Sequence, residues 1–293
     1  MRISDKMITS FVTAKNTSGK TNLFEAIGRA TSGQAINEPA DDPAGAIRVT
    51  EYDRLITKLD RYQANLDNVD HGLRLADEAL VKMVDIVGEA KAIAVQMNND
   101  TMSQTDWDSA AQAVGGFFDQ LLSLSNQRLQ DGRYLFGGVD EDTPPYDANG
   151  NYQGSAANRD VEIASGVEIR ATTTGSEGFG DAGGQVFGVI SQFITDLQAG
   201  NAAGIEAAVG NLNDALDFGI VNLARIGARG QYLDEVAFTN DELQLHFSVE
   251  KARFEEVDLV QEYTNVSAAE TTLNSIVELS SRLLQTSLLS FLR

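Results

Sequence analysis

The amino-acid sequence predicts a mainly α-helical fold: a long antiparallel coiled-coil or helical rod, with paired terminal helices and a small β-rich insertion. Three observations in the 293 residues carry that expectation. The four prolines sit in two close pairs, Pro39 with Pro43 and Pro144 with Pro145, so residues 1–38, 44–143 and 146–293 are free of the residue that breaks helix interiors. An apolar repeat with alternating steps of three and four runs from Tyr52 to Met97 without a miss. Twelve of the 26 glycines fall between Gly132 and Gly188, where the helical period disappears.

Taken in order, the N-terminal stretch offers Ile3, Met7, Ile8 and Phe11, then Leu23, Ile27 and Ile36. The pattern is amphipathic but thin, and Gly19, Gly28 and Gly33 weaken it as an isolated helix. Residues 13–22 are poor in apolar side chains. Asp41-Asp42-Pro43 reads as a helix start, with Pro near the first helical position and acids at the positive end of the dipole. It also makes a hinge between the terminal segment and the rod.

The repeat then occupies Tyr52, Leu55, Leu59, Tyr62, Leu66, Val69, Leu73, Ala76, Leu80, Met83, Val87, Ala90, Ala94 and Met97, a coiled-coil seam on a helix roughly 70 Å long. Asn98-Asn99-Asp100 ends it. Ser103 and Asp106 have the spacing of a capping box for a second helix, whose stripe runs Trp107, Ala110, Val114, Phe117, Leu121 and Leu124, closing at Asp131-Gly132.

In the glycine-rich window the period changes to two. Val161-Glu162-Ile163 and Val167-Glu168-Ile169 read as a hairpin, and Asn149-Gly150 between Tyr146 and Tyr152 as a second turn. Asp147, Asn149 and Asn151 imitate part of a calcium loop, but the spacing lacks a closing Glu and a plain turn fits better. A third helical stripe comes next at Ile205, Val209, Leu212, Leu216, Ile220, Leu223 and Ile226, continuing less regularly through Leu233, Leu243 and Phe247. The last stripe is Leu259, Tyr263, Val266, Ala269, Leu273, Ile276, Ser280, Leu283 and Ser287, broadened at the end by Leu284, Leu288, Leu289, Phe291 and Leu292. Apolar seams at both chain ends need something to pack on, each other or a neighbouring subunit, and we expect them to order fully on assembly. The division this suggests is residues 1–45 with 249–293, residues 46–134 with 186–248, and residues 135–185.

Composition narrows the function. Forty-three acids against 22 Lys and Arg give a net charge of −21, which argues against nucleic acid and against an anionic membrane surface. There is no cysteine and there are two histidines, His71 and His246, so no nucleophile, base and orienter can be assembled. We expect no enzyme, no cofactor and no metal. Residues 1–30 are locally basic, with five Lys or Arg and two acids. The first residues lack the apolar core and cleavage site of a Sec signal, and no apolar run reaches membrane-spanning length.

Arg2-Ile3-Ser4, Ser32-Gly33-Gln34-Ala35-Ile36-Asn37 running into Asp41-Asp42-Pro43-Ala44-Gly45-Ala46, and the terminal Leu288-Leu289-Ser290-Phe291-Leu292-Arg293 resemble the flagellin superfamily. Asp-Asp-Pro, and Tyr134-Leu135-Phe136-Gly137-Gly138 leading to Pro144-Pro145-Tyr146, are similar to its hook-associated protein 3 branch, the hook–filament junction proteins. The resemblance implies a structural adaptor of the bacterial flagellum, secreted unfolded by the flagellar type III system. It implies hook-associated protein 1 as partner on the hook side, flagellin on the filament side, copies of itself in a ring or tier, and an export chaperone on the C-terminal helix. The assembly interface would comprise Ile3, Met7, Ile8, Phe11, Leu23, Ile27, Leu259, Tyr263, Val266, Leu273, Ile276, Leu283, Leu284, Leu288 and Phe291, with Asp41, Asp42 and Pro43 as hinge. Two alternatives stay open: a filament-forming flagellin, and a secreted coiled-coil effector or adhesin.

Overall fold

The computed structural model of the chain describes residues 5–99, 101–129, 131–181 and 184–291. Over these residues the fold is mainly α: α1 (Asp5–Ser32), α2 (Pro43–Met97), α3 (Gln104–Ser125), α4 (Gly175–Gly178), α5 (Phe187–Ala199), α6 (Ala202–Glu255) and α7 (Leu259–Phe291), with one hairpin of β1 (Asp160–Ala164) and β2 (Val167–Arg170). The chain divides into two compact units, Met1–Lys58 with Leu243–Arg293 and Leu59–Glu242.

In the Leu59–Glu242 unit, every seam position of α2 from Leu59 to Met97 is buried. The strict three-four spacing puts these side chains on one face, and burying each large one stabilises by about 1.5–3 kcal/mol. α3 doubles back along α2. Trp107 Nε1 donates to Met97 O at 3.1 Å near one end, and Gln120 and Leu124 share a cleft with Lys82 and Ile86 further along. Ser103 and Asp106 form the expected capping box.

α3 stops at Ser125, six residues before the expected Asp131. The side-chain amide of Asn126 pairs with the main chain of Tyr146, Nδ2 donating to its carbonyl at 3.0 Å and Oδ1 accepting from its N–H at 3.0 Å. A local sequence reading cannot see a partner twenty residues away.

The buried stripe of α6 also departs from expectation. It consists of Ile205, Ala208, Leu212, Ala215, Gly219, Asn222, Ile226, Leu233 and Asn240. The spacing is still three and four, but the stripe is rotated away from the large residues Val209, Leu216 and Leu223, which are half-buried, and Ile220, which is exposed. The reason is close approach. A Cβ on Gly219 would lie 2.7 Å from Val84 Cγ2 and 3.0 Å from Met83 Cε, so α6 rests against α2 over its small residues.

Residues 135–181 contribute loops more than strands. Val161 faces Ile169 and Glu162 faces Glu168 in the antiparallel hairpin, and Gly166 turns it with φ of 75°. Asp147 caps the second turn: Oδ1 accepts from the N–H groups of Asn149 and Asn151, and Oδ2 from Asn151 Nδ2. Gly150 supplies the positive φ of 77° and backs onto the Phe187 ring. Order here comes from aromatic burial. Tyr146 packs tilted against Phe187 at 4.9 Å, Phe136 meets Phe179 edge-on at 5.1 Å, and Tyr146 Oη donates to Gly180 O at 2.8 Å. The hairpin is tied to the long helices by Tyr62 Oη on Glu162 Oε1 at 2.7 Å, Asn65 Nδ2 on Glu162 O and Asn240 Nδ2 on Ile163 O.

Two outcomes are expected. Gly210, with open space where a Cβ would stand, gains about 0.5–1 kcal/mol on Gly210→Ala. Gly219→Ala instead destabilises by about 1–3 kcal/mol, because Val84 must move; urea unfolding separates the two signs. Burial raises the Tyr146 hydroxyl strongly and pushes Tyr152 up to about 12. A folded-state pKa above the unfolded value of roughly 10 means that stability is present below pH 10 and lost as pH rises through 12. Absorbance at 295 nm during alkaline titration should show these two rings ionising last, together with loss of helix.

Candidate functional site

In the other unit α1 and α7 pair antiparallel. Asn16 Nδ2 donates to Ser280 Oγ at 3.4 Å, Gly19 meets Leu273 and Ile276, and Arg29 reaches Glu262. The α1 face turned inward is Val12, Asn16, Gly19, Leu23 and Ala26, again spaced by four and three. On α7 it is Glu262, Val266, Ala269, Leu273, Ile276 and Ser280. Gly19 explains why residues 13–22 are helical despite their polarity: a Cβ there would sit 3.1 Å from Leu273 Cδ1 and 3.2 Å from Ile276 Cδ1. The glycine that weakens an isolated helix lets the pair close.

With small and polar residues inside, the bulky apolar side chains are left outside. Met7, Phe11 and Phe24 on α1, and Leu259, Val260, Tyr263, Val277 and Leu279 on α7, are exposed, Phe24 to 70%. So many large apolar groups on one small unit exceed what a monomer normally leaves in water. Exposed charge on α1 is mostly basic, Lys6, Lys15 and Lys20 against Glu25, whereas on α7 Glu278 is ion-paired with Arg282 and Glu270 is exposed.

Below this pair both strands of the chain leave the helix at the same level. Gly33, at φ 72°, ends α1, and residues 256–258 separate α6 from α7. The two breaks are laced together: Ala35 N donates to Glu255 O at 2.6 Å and Val257 N to Gly33 O at 3.1 Å, while Gln34 Nε2 holds Glu255 Oε1 at 2.9 Å. On the α6 side Lys251 bridges Asp53 at 2.7 Å and Glu255 at 3.3 Å, and the bond to Asp53 raises its pKa. Tyr52 packs on Phe254 and Phe247.

The three residues expected to form a hinge have separate tasks. Asp42 Oδ1 accepts from Ala44 N at 3.1 Å as the cap of α2, with Pro43 in its first turn. Asp41 Oδ2 accepts from the N–H groups of Asn37 and Glu38 and closes the preceding turn. Gly45 packs closely beside them: a Cβ would lie 2.5 Å from Asp42 Oδ2 and 2.6 Å from Ile36 Cδ1, so both side chains would have to shift.

Among the interface residues expected from sequence, Leu23, Val266, Leu273 and Ile276 line the α1–α7 seam, whereas Met7, Phe11, Ile27, Leu259 and Tyr263 are exposed. Ile3 lies outside the described residues, as do the side chains of Ile8, Leu283, Leu284, Leu288 and Phe291. Sequence reading missed Phe24, Val260, Val277 and Leu279 because they fall off the three-four stripe; asking which large apolar residues a small-residue seam leaves over would have found them. It also missed Glu262, which takes the seam position beside Tyr263.

Residues 3–141 match the family described as the bacterial flagellin N-terminal helical region. The resemblance to the flagellin superfamily is borne out. The flagellar hook-associated protein 3 of Salmonella typhimurium is 27% identical over 184 residues, 61% of this chain and 57% of that protein. The chain thus spans little more than half the length of that curated relative. Two solved structures from Legionella pneumophila share the fold. One, flagellar hook associated protein-3, has a TM-score of 0.62 at 14% identity, covering 70% of this chain and 98% of that one. The other, the flagellar junction protein FlgL, has a TM-score of 0.57 at 14% identity, covering 71% and 99%.

The Arg29–Glu262 pair gives a test of the terminal seam. Glu262 keeps only 7% of its side chain exposed and also accepts from Asn265 Nδ2. Arg29→Ala strands that carboxylate and should cost about 1–3 kcal/mol. The double variant Arg29→Leu with Glu262→Leu should recover most of the loss, read by thermal unfolding of the full chain at low concentration.

Proposed function

We propose that this chain is a structural adaptor of the bacterial flagellum, joining hook-associated protein 1 on the hook side to flagellin on the filament side. One observation carries the reading: the terminal helix pair spends its small residues on its own seam and turns its large apolar residues outward. A surface of that kind marks a site that another molecule covers. The names of the similar proteins, hook-associated protein 3 and flagellar junction protein, support the same role.

In this reading residues 1–45 with 249–293 form the assembly element, residues 46–134 with 186–248 a helical rod, and residues 135–185 the outward-facing part. Neighbouring copies meet through heterologous contacts between their terminal helices. The chain is exported by the flagellar type III system, and before export a chaperone covers α7. Absence of cysteine suits passage through a narrow channel, because no crosslink can form on the way. No catalytic role is assigned.

Deleting the gene should abolish motility and release monomeric flagellin into the medium; intact motility would reject the reading. Phe24→Ser with Tyr263→Ser alters exposed positions, so the monomer should keep its thermal midpoint while junction assembly is lost. Removing residues 1–40 should stop export, and removing residues 260–293 should allow export without assembly. Long filaments grown from the purified protein alone, without a hook, would favour a flagellin instead.

A further inference from the structure

The hairpin of the Leu59–Glu242 unit has two edges, and they are treated differently. Arg159 O accepts from Ala171 N at 2.7 Å, so in this register the Arg159–Ala171 and Val161–Ile169 pairs turn their peptide groups toward each other. The main chain of the alternate residues points away from the hairpin, at Asp160 and Glu162 on β1 and at Glu168 and Arg170 on β2. On the β1 side Asn65 Nδ2 donates to Glu162 O at 2.8 Å and Asn240 Nδ2 to Ile163 O at 2.9 Å. On the β2 side Glu168 and Arg170 are exposed, and among the described residues nothing outside the hairpin bonds to their N–H or C=O groups.

The charges along the open edge are unevenly matched. Glu168 faces Glu162 across the hairpin, and like charges directly opposite each other destabilise a strand pair. Glu162 is engaged by Tyr62 Oη at 2.7 Å and by Gly166 N at 3.2 Å, whereas Glu168 has no ion-pair partner among the described residues. Two residues on, Arg170 reaches Glu177 at 3.1 Å and still keeps 53% of its side chain exposed. An antiparallel strand laid on this edge must set outward peptide groups against outward peptide groups. If that strand is a second β2, pairing Glu168 with Glu168 or Arg170 with Arg170 opposes like charges. Pairing Glu168 with Arg170 matches opposite charges twice, and it brings the half-buried Ile169 of each copy side by side at the centre.

We infer that β2 pairs antiparallel with β2 of a second copy of this chain, Glu168 of each facing Arg170 of the other across a two-fold axis at Ile169. Each Glu168–Arg170 pair exchanges both of its N–H···O bonds, and the two hairpins become one four-stranded sheet. That sheet grows no further, because its outer edges are the β1 edges closed by Asn65 and Asn240. The contact is small, so the dimer is weak. An assembly built on heterologous contacts points all its copies the same way along its axis, and a two-fold contact has no place in it. The pairing belongs to the free protein and is independent of the terminal surface.

Sedimentation velocity tests this on the full chain carrying Phe24→Ser and Tyr263→Ser, so that the terminal surface does not contribute. From about 10 µM to about 1 mM, in about 0.15 M salt to screen the net charge of −21, monomer should give way to dimer and to nothing larger. Glu168→Pro removes an outward N–H that the hairpin does not use, so the thermal midpoint should stay while the dimer weakens at least about tenfold. Glu168→Lys gives Glu162 an opposite charge within the copy but opposes Arg170 between copies. It should weaken the dimer about tenfold with the midpoint kept or raised. Arg170→Glu opposes Glu168 of the second copy and should weaken the dimer by a similar factor. An equimolar mixture of these last two variants matches both pairs again and should restore association to within about threefold of the starting chain. The inference is overturned by a chain that stays monomeric at the highest concentration, by species that grow past the dimer, or by a Glu168→Pro variant that dimerises as before. Folded Glu168→Lys and Arg170→Glu variants that associate no better mixed than alone overturn it as well.

Discussion

Both units depend on one constraint, the close approach of helices over small residues in a three-four seam. At Gly219 the surface of α6 comes so near α2 that even a methyl group would press on Val84. At Gly19 the same economy of space brings α7 onto α1. A close-packed seam gains dispersion contacts along its length, which offsets the low intrinsic helix propensity of the glycines themselves. It also has a second effect. Large apolar side chains that do not fit the seam are displaced to its flanks, as Ile220 is on α6 and Phe24 on α1. In the Leu59–Glu242 unit the other displaced residues, Val209, Leu216 and Leu223, find partial cover against the core. In the terminal unit Met7, Phe11, Phe24 and Tyr263 remain in water.

Polar groups set position where apolar burial alone would permit sliding. A helix pair whose seam is mostly small residues has a weakly determined register, because one small residue can replace another. Arg29 on Glu262, Asn16 on Ser280, and the lacing of residues 33–35 to residues 255–257 fix one arrangement. Each leaves a buried or half-buried polar atom unsatisfied if the helices slip by a turn. In the other unit Asn240 and Asn65 hold the carbonyls of β1 in the same manner, and the Asn126 amide decides where α3 ends.

Patterns with a short period are legible in the sequence. The α2 seam from Leu59 to Met97 can be named residue for residue, and the capping box at Ser103, the hairpin around Gly166, the turn at Gly150 and the cap at Asp42 are each readable from local spacing. The α6 stripe is misread because choosing the largest apolar residues assumes a roomy interface, and Ala208, Ala215 and Gly219 occupy the inward positions instead. For the candidate site, the sequence singles out the two terminal helices but merges residues of the inner seam with residues of the outer surface into one set. Telling them apart requires knowing which face of α1 meets α7, and helical periodicity alone fixes the spacing of a face without fixing its direction.

The sequence by itself determined a mainly helical chain, the places where helices begin and break, and a net acidity with a basic N-terminal segment, since these arise from local backbone preferences, side-chain period and charge. The tertiary structure alone decided which stripe is buried, that Glu262 rather than Tyr263 takes the seam position, and that Asn222 is buried on α6 with an unsatisfied donor. Those outcomes depend on the distance between elements remote in the chain, and an interhelical gap of one methyl group is a property of the packed pair that neither helix carries alone.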